Sequence, residues 1–263
     1  MPDPKLPSLY LPHGGGPAFF MSGQMAEMFR PMKEFLAGLM TSLPQRPAAI
    51  LVASAHWEAP QATFCSASAP ELIYDYYGFP PETYAIQYPA PGAPELADVA
   101  ARLLRDAGLP AQVDAGHGWD HGVFIPLKVI APAADIPVLA MSLVDGLDPL
   151  THVAIGAALR PLRSQGVLIV GSGMSYHNLR RMGDGAAALA FDRWLDGALA
   201  GDAAQRRDWL ARWAHAPSAR AAHPREEHLL PLMVAAGAGG AAPARKLWSG
   251  ALGPTAVSAW AFD

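Results

Sequence analysis

The sequence predicts a single-domain α/β fold in which helices flank a central, mostly parallel β-sheet. Two observations lead to this prediction: short apolar runs alternate with amphipathic segments along the chain, and prolines and glycines separate them. The chain has 263 residues, of which 51% are hydrophobic, so it can bury a substantial core and is short enough to form one domain. We therefore expect one domain over residues 1–263.

Four apolar segments are typical of buried strands. They are short and rich in aliphatic residues, and they comprise residues 9–12, 48–53 (AAILVA), 136–143 and 166–171 (GVLIVG). Residues 255–262 instead alternate between the two faces of a strand, which predicts a closing strand that could lie at the edge of the sheet.

Three segments have the pattern of amphipathic helices that begin with a proline. Proline is favoured at the first helical position, and apolar residues follow at helical spacing. These predicted helices begin at Pro94 (closing at Gly108), cover residues 149–164, and cover residues 224–236.

The segment 59–94 has no recognisable regular structure. It is rich in proline and contains an aromatic cluster that includes Tyr74, Tyr76 and Phe79. A loop of this length in a compact domain is usually functional or disordered, and its aromatic side chains favour burial. We predict an ordered wall or lid over a ligand site.

The composition excludes several classes of function. A net charge of −4 and a pI near 6.1 provide no basic surface for nucleic acid. No apolar run reaches the length of a membrane span, and the first residues lack the features of a signal peptide. Cys65 is the only cysteine, which excludes an intrachain disulfide and a thiolate metal cluster and favours a cytoplasmic location.

Three histidines follow predicted strands. His13, His56 and His177 each come one to several residues after an apolar run, beside small residues that permit close approach of a ligand. The carboxyl ends of parallel strands meet at one edge of a sheet, where ligands bind, and imidazole is the commonest side-chain ligand for transition metals. A single such histidine is usually a hydrogen-bonded turn residue, but three of them predict a metal site at the carboxyl edge of the strands.

Further histidines could contribute to this site. His228 lies one turn into the third predicted helix, where it could bind the metal or merely pack, and the neighbouring Glu227 is a rival ligand. His121 lies in a glycine-rich turn with His117, where Asp120 could orient it for proton transfer. The remaining three are expected to be ordinary surface residues: His152, His215 and His223.

Seven short segments, in order along the chain, resemble the class III extradiol ring-cleavage dioxygenases, and the DOPA-dioxygenase type most closely. They are Leu-Pro-His-Gly-Gly-Gly-Pro (11–17), Ser-Ala-His-Trp (54–57), Tyr-Asp-Tyr-Tyr-Gly-Phe-Pro (74–80), Tyr-Pro-Ala-Pro-Gly (88–92), Asp-His-Gly (120–122), Gly-Ser-Gly with His-Asn-Leu (171–179), and Glu-His-Leu-Leu-Pro-Leu (227–232). The resemblance covers nearly the whole chain and implies an α/β fold with one metal ion, Fe(II) in the active enzyme and sometimes Zn(II) in the isolated protein.

The resemblance also implies roles for individual residues. His13 and His56 match the family's two amino-proximal metal ligands. His177 matches a position that acts as a base in one branch and lies at or beside the metal in DOPA-type members, so it is a candidate metal ligand and a candidate base, with His121 as the next candidate base. His228 matches the DOPA-type pattern and is favoured as the remaining metal ligand over Glu227.

The expected reaction is extradiol cleavage of a catechol by O2, giving a muconic semialdehyde. Four aromatic residues are the candidates for contact with the substrate: Trp57, Tyr74, Tyr76 and Phe79. The competing interpretations are a zinc-dependent hydrolase, since Zn(II) in a histidine site can activate water, and a non-catalytic metal-binding relative on the same scaffold. No nucleic-acid or membrane partner is expected, and the length suggests a self-sufficient subunit, alone or as a homodimer.

Overall fold

An eight-stranded β-sheet organises the computed structural model of the protein, which describes residues 5–263. The strands are β1 (Ser8–Pro12), β2 (Ala49–Ala59), β3 (Ala62–Cys65), β4 (Ala111–Asp114), β5 (Val138–Val144), β6 (Val167–Gly173), β7 (Arg245–Leu252) and β8 (Thr255–Phe262). Their order across the sheet is β4-β3-β5-β2-β6-β1-β8-β7. The neighbours β5, β2, β6 and β1 all run parallel, which confirms the predicted mostly parallel sheet.

Helices cover both faces of this sheet. Within the part of the chain that the structure describes they are α1 (Gly23–Ser42), α2 (Pro94–Asp106), α3 (His121–Ile130), α4 (Pro149–Leu159), α5 (Gly185–Leu199), α6 (Ala203–Ala211), α7 (Ala219–Ala222) and α8 (Leu230–Ala238). In β2, Ile50 and Val52 pack in the core that contains α1 and α3, whereas Leu51 and Ala53 pack in the core that contains α2, α4 and α8. Both faces of the central strands are therefore buried, which explains why their sequences are continuous apolar runs.

The strands differ from the sequence prediction in three respects. Strand β2 does not end before His56 but continues to Ala59, with an irregularity between Ala53 and Glu58. The short strands β3 and β4, and the partly exposed β7, were not anticipated because they carry little apolar periodicity. Strand β8 is not an edge strand, since β7 pairs along its outer side.

Two helix boundaries also differ. The predicted helix 149–164 ends at Leu159 and continues as a 3-10 helix, Arg160–Gln165. The predicted helix 224–236 begins only at Leu230, so His228 lies in the turn before it rather than on the helix. The proline rule was correct but was applied to the wrong proline, because Pro231 and not Pro224 lies in the first turn.

The long segment 59–94 is mainly irregular, as predicted, apart from β3 and a 3-10 helix at Pro81–Ala85. Tyrosine hydroxyl groups hold it together: Tyr74 donates to the carbonyl of Ile86 at 2.6 Å, and Tyr76 donates to the carbonyl of Thr83 at 2.7 Å. Over residues 5–263, the structure has no helix that combines the length and apolar character needed to cross a bilayer.

Candidate metal centre

Three histidines meet at the carboxyl edge of the central strands. His13 directly follows β1, His56 lies near the end of β2, and His228 lies in the turn before α8. One ring nitrogen from each lies within 4.8 Å of the other two, and the Nε2 atoms of His13 and His56 are 3.2 Å apart. The predicted convergence at a sheet edge thus involves His13 and His56 from strands, with His228 added from an adjoining turn.

Two glycines of β6 allow His228 to reach this edge. A Cβ atom at Gly173 would lie 2.2 Å from the carbonyl oxygen of His228, and one at Gly171 would lie 2.0 Å from that of Pro231. The carbonyl of His228 also accepts hydrogen bonds from the Tyr10 hydroxyl at 2.8 Å and from the Met174 amide at 3.1 Å. The turn before α8 therefore packs directly against the backbone of β6.

Hydrogen bonds fix the tautomer of His13. Its Nδ1 lies 3.0 Å from the hydroxyl oxygen of Ser172, and that hydroxyl donates its own proton to the carbonyl of Gly122. The Ser172 oxygen must therefore accept from His13, so Nδ1 carries the ring proton. The lone pair of Nε2 is left facing His56.

Carboxylates orient the other two rings. Nδ1 of His56 lies 3.4 Å from Oδ2 of Asp75, and Nδ1 of His228 lies 3.0 Å from Oε1 of Glu227. A carboxylate accepts hydrogen bonds and so favours the proton on Nδ1, leaving Nε2 unprotonated. Carboxylate–histidine pairs of this kind commonly support metal ligands.

Each carboxylate also contacts a second histidine. Oδ1 of Asp75 accepts from Nδ1 of His121 at 2.8 Å and from its backbone amide at 2.9 Å. Oε1 of Glu227 lies 3.4 Å from Nδ1 of His177, whose ring stacks on that of His228 with centroids 3.3 Å apart. Asp75 and Glu227 thus each join one histidine of the three-histidine cluster to one histidine outside it.

Asp75, rather than the predicted Asp120, orients His121. The Oδ1 atom of Asp120 accepts from the Ser54 hydroxyl at 2.7 Å, and burial raises the pKa of the Asp120 carboxyl to about 6. Asp75 was missed because it lies in an irregular segment, where no periodic pattern indicates the direction of a side chain.

The electrostatics of the cluster favour a cation. Burial, reinforced by neighbouring histidines, holds the pKa of His13 and of His56 far below the ordinary value, and burial lowers the pKa of His228 to about 4. Burial alone would raise the pKa of Glu227 and of Asp75, but hydrogen bonds from their histidine partners outweigh it and lower both values. At neutral pH the three imidazoles are therefore neutral and the two carboxylates are charged.

The donor set fits a divalent metal ion. Two unprotonated Nε2 atoms 3.2 Å apart repel one another unless a cation lies between them. Imidazole–metal bonds of about 2.1 Å separated by an angle of about 100° would place two such nitrogens about 3.2 Å apart. His13, His56 and His228 would therefore hold such an ion through their imidazole nitrogens.

A cavity of about 530 Å³ opens above the cluster. Its floor is polar and contains Asp75 and five histidines, namely the three of the cluster together with His121 and His177. Its walls are mainly apolar and aromatic and include Met25, Met28, Phe29, Tyr76, Tyr77, Phe79, Met174, Tyr176, Leu179, Met182 and Leu252. Of the four aromatic residues predicted to contact the substrate, Tyr76 and Phe79 line this cavity.

The other two aromatic residues, Trp57 and Tyr74, do not line the cavity. Trp57 stacks on His117, with ring centroids 3.8 Å apart, because neighbouring residues of a strand point to opposite faces and His56 points towards the cavity. The hydroxyl of Tyr74 bonds to Ile86, and its ring packs behind Tyr76.

Two histidines that were expected on the surface are buried. Nε2 of His152 accepts from the amide of Val144 at 3.1 Å, and Nε2 of His223 donates to the carbonyl of Ser175 at 3.1 Å. Each ring hydrogen-bonds to a main-chain group of another segment, a contact that a sequence pattern does not reveal. His215 is exposed, as predicted.

Comparison with known proteins gives the class of this enzyme, an aromatic ring-opening dioxygenase. Residues 6–260 match the family described as the catalytic LigB subunit of aromatic ring-opening dioxygenase. The chain belongs to this metal-dependent family of extradiol dioxygenases, which confirms the resemblance found in the sequence.

Similar proteins support this assignment. Dioxygenase tasH of Hapsidospora irregularis is 40% identical over 258 residues, covering 88% of this chain and 78% of that protein. The 4,5-DOPA dioxygenase extradiol of Beta vulgaris is 40% identical over 218 residues, covering 80% of this chain and 81% of that protein. The crystal structure of an uncharacterized Escherichia coli K12 protein, JW3007, matches with a TM-score of 0.79 and 27% identity, over 98% of this chain and 100% of that one.

Proposed function

We propose that the protein is an extradiol dioxygenase that opens a catechol-type aromatic ring with O2, at a mononuclear non-haem Fe(II) site. Both oxygen atoms of O2 enter the product, a muconic semialdehyde. The observation that carries the proposal is the convergence of three neutral imidazoles, from His13, His56 and His228, on the floor of a largely apolar cavity. These three residues are the proposed metal ligands, and Zn(II) is the metal expected to replace Fe(II) in the isolated protein.

The chemistry that Fe(II) would supply is coordination of both adjacent catechol oxygens, which lowers the pKa of the hydroxyl groups, and transfer of electron density from the ring to O2. The protein must then provide groups that accept and donate the protons of the reaction. His177 lines the cavity beside His228, and its Nδ1 faces the Glu227 carboxylate, so its Nε2 is available to accept a hydroxyl proton. We assign it the role of base rather than that of a fourth ligand.

His121 is the proposed second proton carrier. Its Nδ1 is held by Asp75, so its Nε2 is the nitrogen available to the cavity, beside His56 rather than beside His228. A histidine in this position can take up a proton at Nε2 and return it during ring opening. Glu227 and Asp75 act through these rings, as positioning residues.

The aromatic wall shapes the space for the substrate ring. Tyr76 and Phe79 contact one another edge to face, with centroids 5.6 Å apart, and Phe29 of α1 lines the cavity with them. Rings packed in this way can hold a flat substrate by face and edge contacts while they exclude water from the reacting oxygens.

We also propose that the enzyme acts in the cytoplasm on small molecules, alone or as a homodimer, without nucleic-acid or membrane partners. The acidic net charge of −4 and the single, buried thiol of Cys65 support this proposal.

The test is anaerobic loading with Fe(II), followed by addition of O2 and a panel of catechols. We expect stoichiometric O2 uptake and a yellow ring-opened product. His13→Ala and His56→Ala should lose bound metal and turnover together, whereas the exposed His215→Ala should retain both. Substrate hydrolysis without O2 uptake would instead establish a zinc hydrolase, and full metal content in His13→Ala would refute the ligand assignment.

A further inference from the structure

We propose that the preferred catechol carries an extended, uncharged, apolar substituent, and that the enzyme selects against catechols that carry a carboxylate. This inference rests on the proposed ring cleavage and specifies which ring is cleaved. Several relatives are named for DOPA, a catechol whose side chain is an amino acid. The preferred substrate proposed for this enzyme differs from DOPA in having an uncharged side chain.

The cavity is larger than a bare catechol requires. Its volume of about 530 Å³ falls within the range of roughly 300–1,000 Å³ that is typical of pockets for larger ligands. A catechol ring held at the histidine cluster would occupy only the floor. The space between the floor and the mouth is therefore available to a substituent on the ring.

The walls of this space offer no cation. Among the described residues that line the cavity, none is Lys or Arg, and the charged side chain is that of Asp75, which already accepts from His121. The hydroxyls of Tyr76 and Tyr176 already donate to the carbonyls of Thr83 and Arg181. A carboxylate on the substrate would lose its water without gaining a positive partner, which is strongly unfavourable.

Methionines make up much of the wall. Met25 and Met28 come from α1, and Met174 and Met182 come from the segment that follows β6. Unbranched, polarizable methionine side chains adapt to irregular apolar ligands, and such surfaces are typical of binding sites that accept a range of shapes. We therefore expect tolerance of the length and branching of the substituent, but not of charge.

Uncharged, largely apolar side chains also rim the mouth. Tyr77 is 91% exposed and Leu179 is 74% exposed, and both line the cavity. A substituent that extends from the floor to the mouth would cover part of this apolar surface. The rim thus extends the apolar walls out to solvent.

A groove beside Leu179 contains three arginines that a substrate carboxylate could approach from the mouth of the cavity. Arg181 in this groove pairs with Asp184 at 2.6 Å, and Arg225 forms two bonds of 2.5 Å with Glu58. The exposed Arg180 is then the remaining cation that a substrate carboxylate could approach. Arg180 does not line the cavity. A variant of Arg180 therefore shows whether this side chain binds a substrate carboxylate from outside the cavity.

The test compares four substrates on the Fe(II)-loaded enzyme: catechol, 4-butylcatechol, 3-(3,4-dihydroxyphenyl)propanoate and 3,4-dihydroxyphenylalanine. Burial of two to three of the four butyl carbons should raise kcat/KM about 10- to 100-fold over catechol. The propanoate and the amino acid should fall at least about 10-fold below 4-butylcatechol. Dissociation constants measured without O2 should follow the same order.

Two results separate the possible failures. If none of the four catechols is opened, the proposed function fails and this inference fails with it. If ring opening occurs but turnover of the propanoate or the amino acid equals or exceeds that of 4-butylcatechol, the inference alone is overturned. Loss of propanoate turnover in Arg180→Ala, with 4-butylcatechol unaffected, would likewise overturn it by showing that this arginine binds the acid.

A variant of the rim provides a converse test. Leu179→Arg places a cation at the mouth, so it should raise the ratio of propanoate to 4-butylcatechol turnover by about 10-fold, as expected for a new charge-assisted hydrogen bond. The matched control is Leu189→Arg on α5, which is 43% exposed and does not line the cavity. An equal shift in both variants, or no shift in Leu179→Arg, would contradict the proposed role of the uncharged wall.

Discussion

Replacement of Asp75 by asparagine tests whether one carboxylate supports both a metal ligand and a proton carrier. The amide oxygen of the introduced asparagine can still accept from His121, as Oδ1 of Asp75 does at 2.8 and 2.9 Å. The amide nitrogen would then replace Oδ2, which lies 3.4 Å from Nδ1 of His56. Because an amide NH2 group donates, His56 must turn Nδ1 into an acceptor and carry its proton on Nε2, where the metal should bind.

The expected magnitude follows from this change of tautomer. Loss of a carboxylate that supports a ligand histidine typically weakens metal binding about 10- to 100-fold, or about 1.4–2.7 kcal/mol. Turnover of the fully loaded variant should also fall, because an amide oxygen accepts the Nδ1–H of His121 more weakly than the carboxylate of Asp75 does. The melting temperature of the metal-free protein should change little, since the side chain is 23% exposed and its hydrogen bonds to His121 persist.

Competition with a chelator measures the metal affinity, and calorimetry of the metal-free protein measures stability. Asp98→Asn is the matched control, because Asp98 is exposed on α2, away from the cavity. The reasoning would be refuted if Asp75→Asn bound metal within twofold of the unmodified protein, or if its weaker binding were matched by an equal loss of stability in the metal-free state.

Three further predictions concern other parts of the molecule. His121→Ala should retain stoichiometric metal by elemental analysis yet lower kcat about 100-fold or more, as expected for loss of a general acid–base group, and loss of the metal would contradict this role. Gly173→Ala should weaken metal binding, because its Cβ would lie 2.2 Å from the carbonyl of His228, whereas Gly183→Ala meets nothing within 4 Å and should bind normally in the same titration. Burial lowers the pKa of His223 to about 3 from 6.5, so the unfolded chain binds a proton that the native protein excludes, and stability falls as the pH drops from 6.5 towards 3. His223→Gln should therefore make the acid-side slope of the unfolding free energy shallower by up to about 1.4 kcal/mol per pH unit in urea titrations, and an unchanged slope would show that this ring does not titrate as inferred.

The layered fold and much of the cluster could be predicted because both depend on local patterns. A continuous apolar run of strand length indicates a strand buried on both faces, and this is how residues of β2 and β6 pack. The rule that parallel strands end at one edge then brought His13 and His56 together without any knowledge of pairing order. His228 was identified although the start of its helix was misplaced by several residues.

The parts that could not be predicted depend on contacts between distant segments. Asp75 orients His56 and His121 only because an irregular segment folds over the sheet edge. The place of Trp57 could have been inferred from strand alternation had β2 been extended past His56. The burial of His152 and His223 was not visible because each satisfies a backbone group supplied by the tertiary structure.

The turn before α8 packs directly against the backbone of β6 at Gly171 and Gly173, so metal binding by His228 and the position of this turn depend on one another. His13 and His228 are far apart in the sequence, so an ion held between them would cross-link the residue after β1 to the turn before α8. Removal of the ion should loosen the turn before α8 earlier than the rest of the sheet opens, since ligands stabilise only the conformation that binds them. Chelation should accordingly expose the amides of residues 225–229 to hydrogen exchange long before global unfolding.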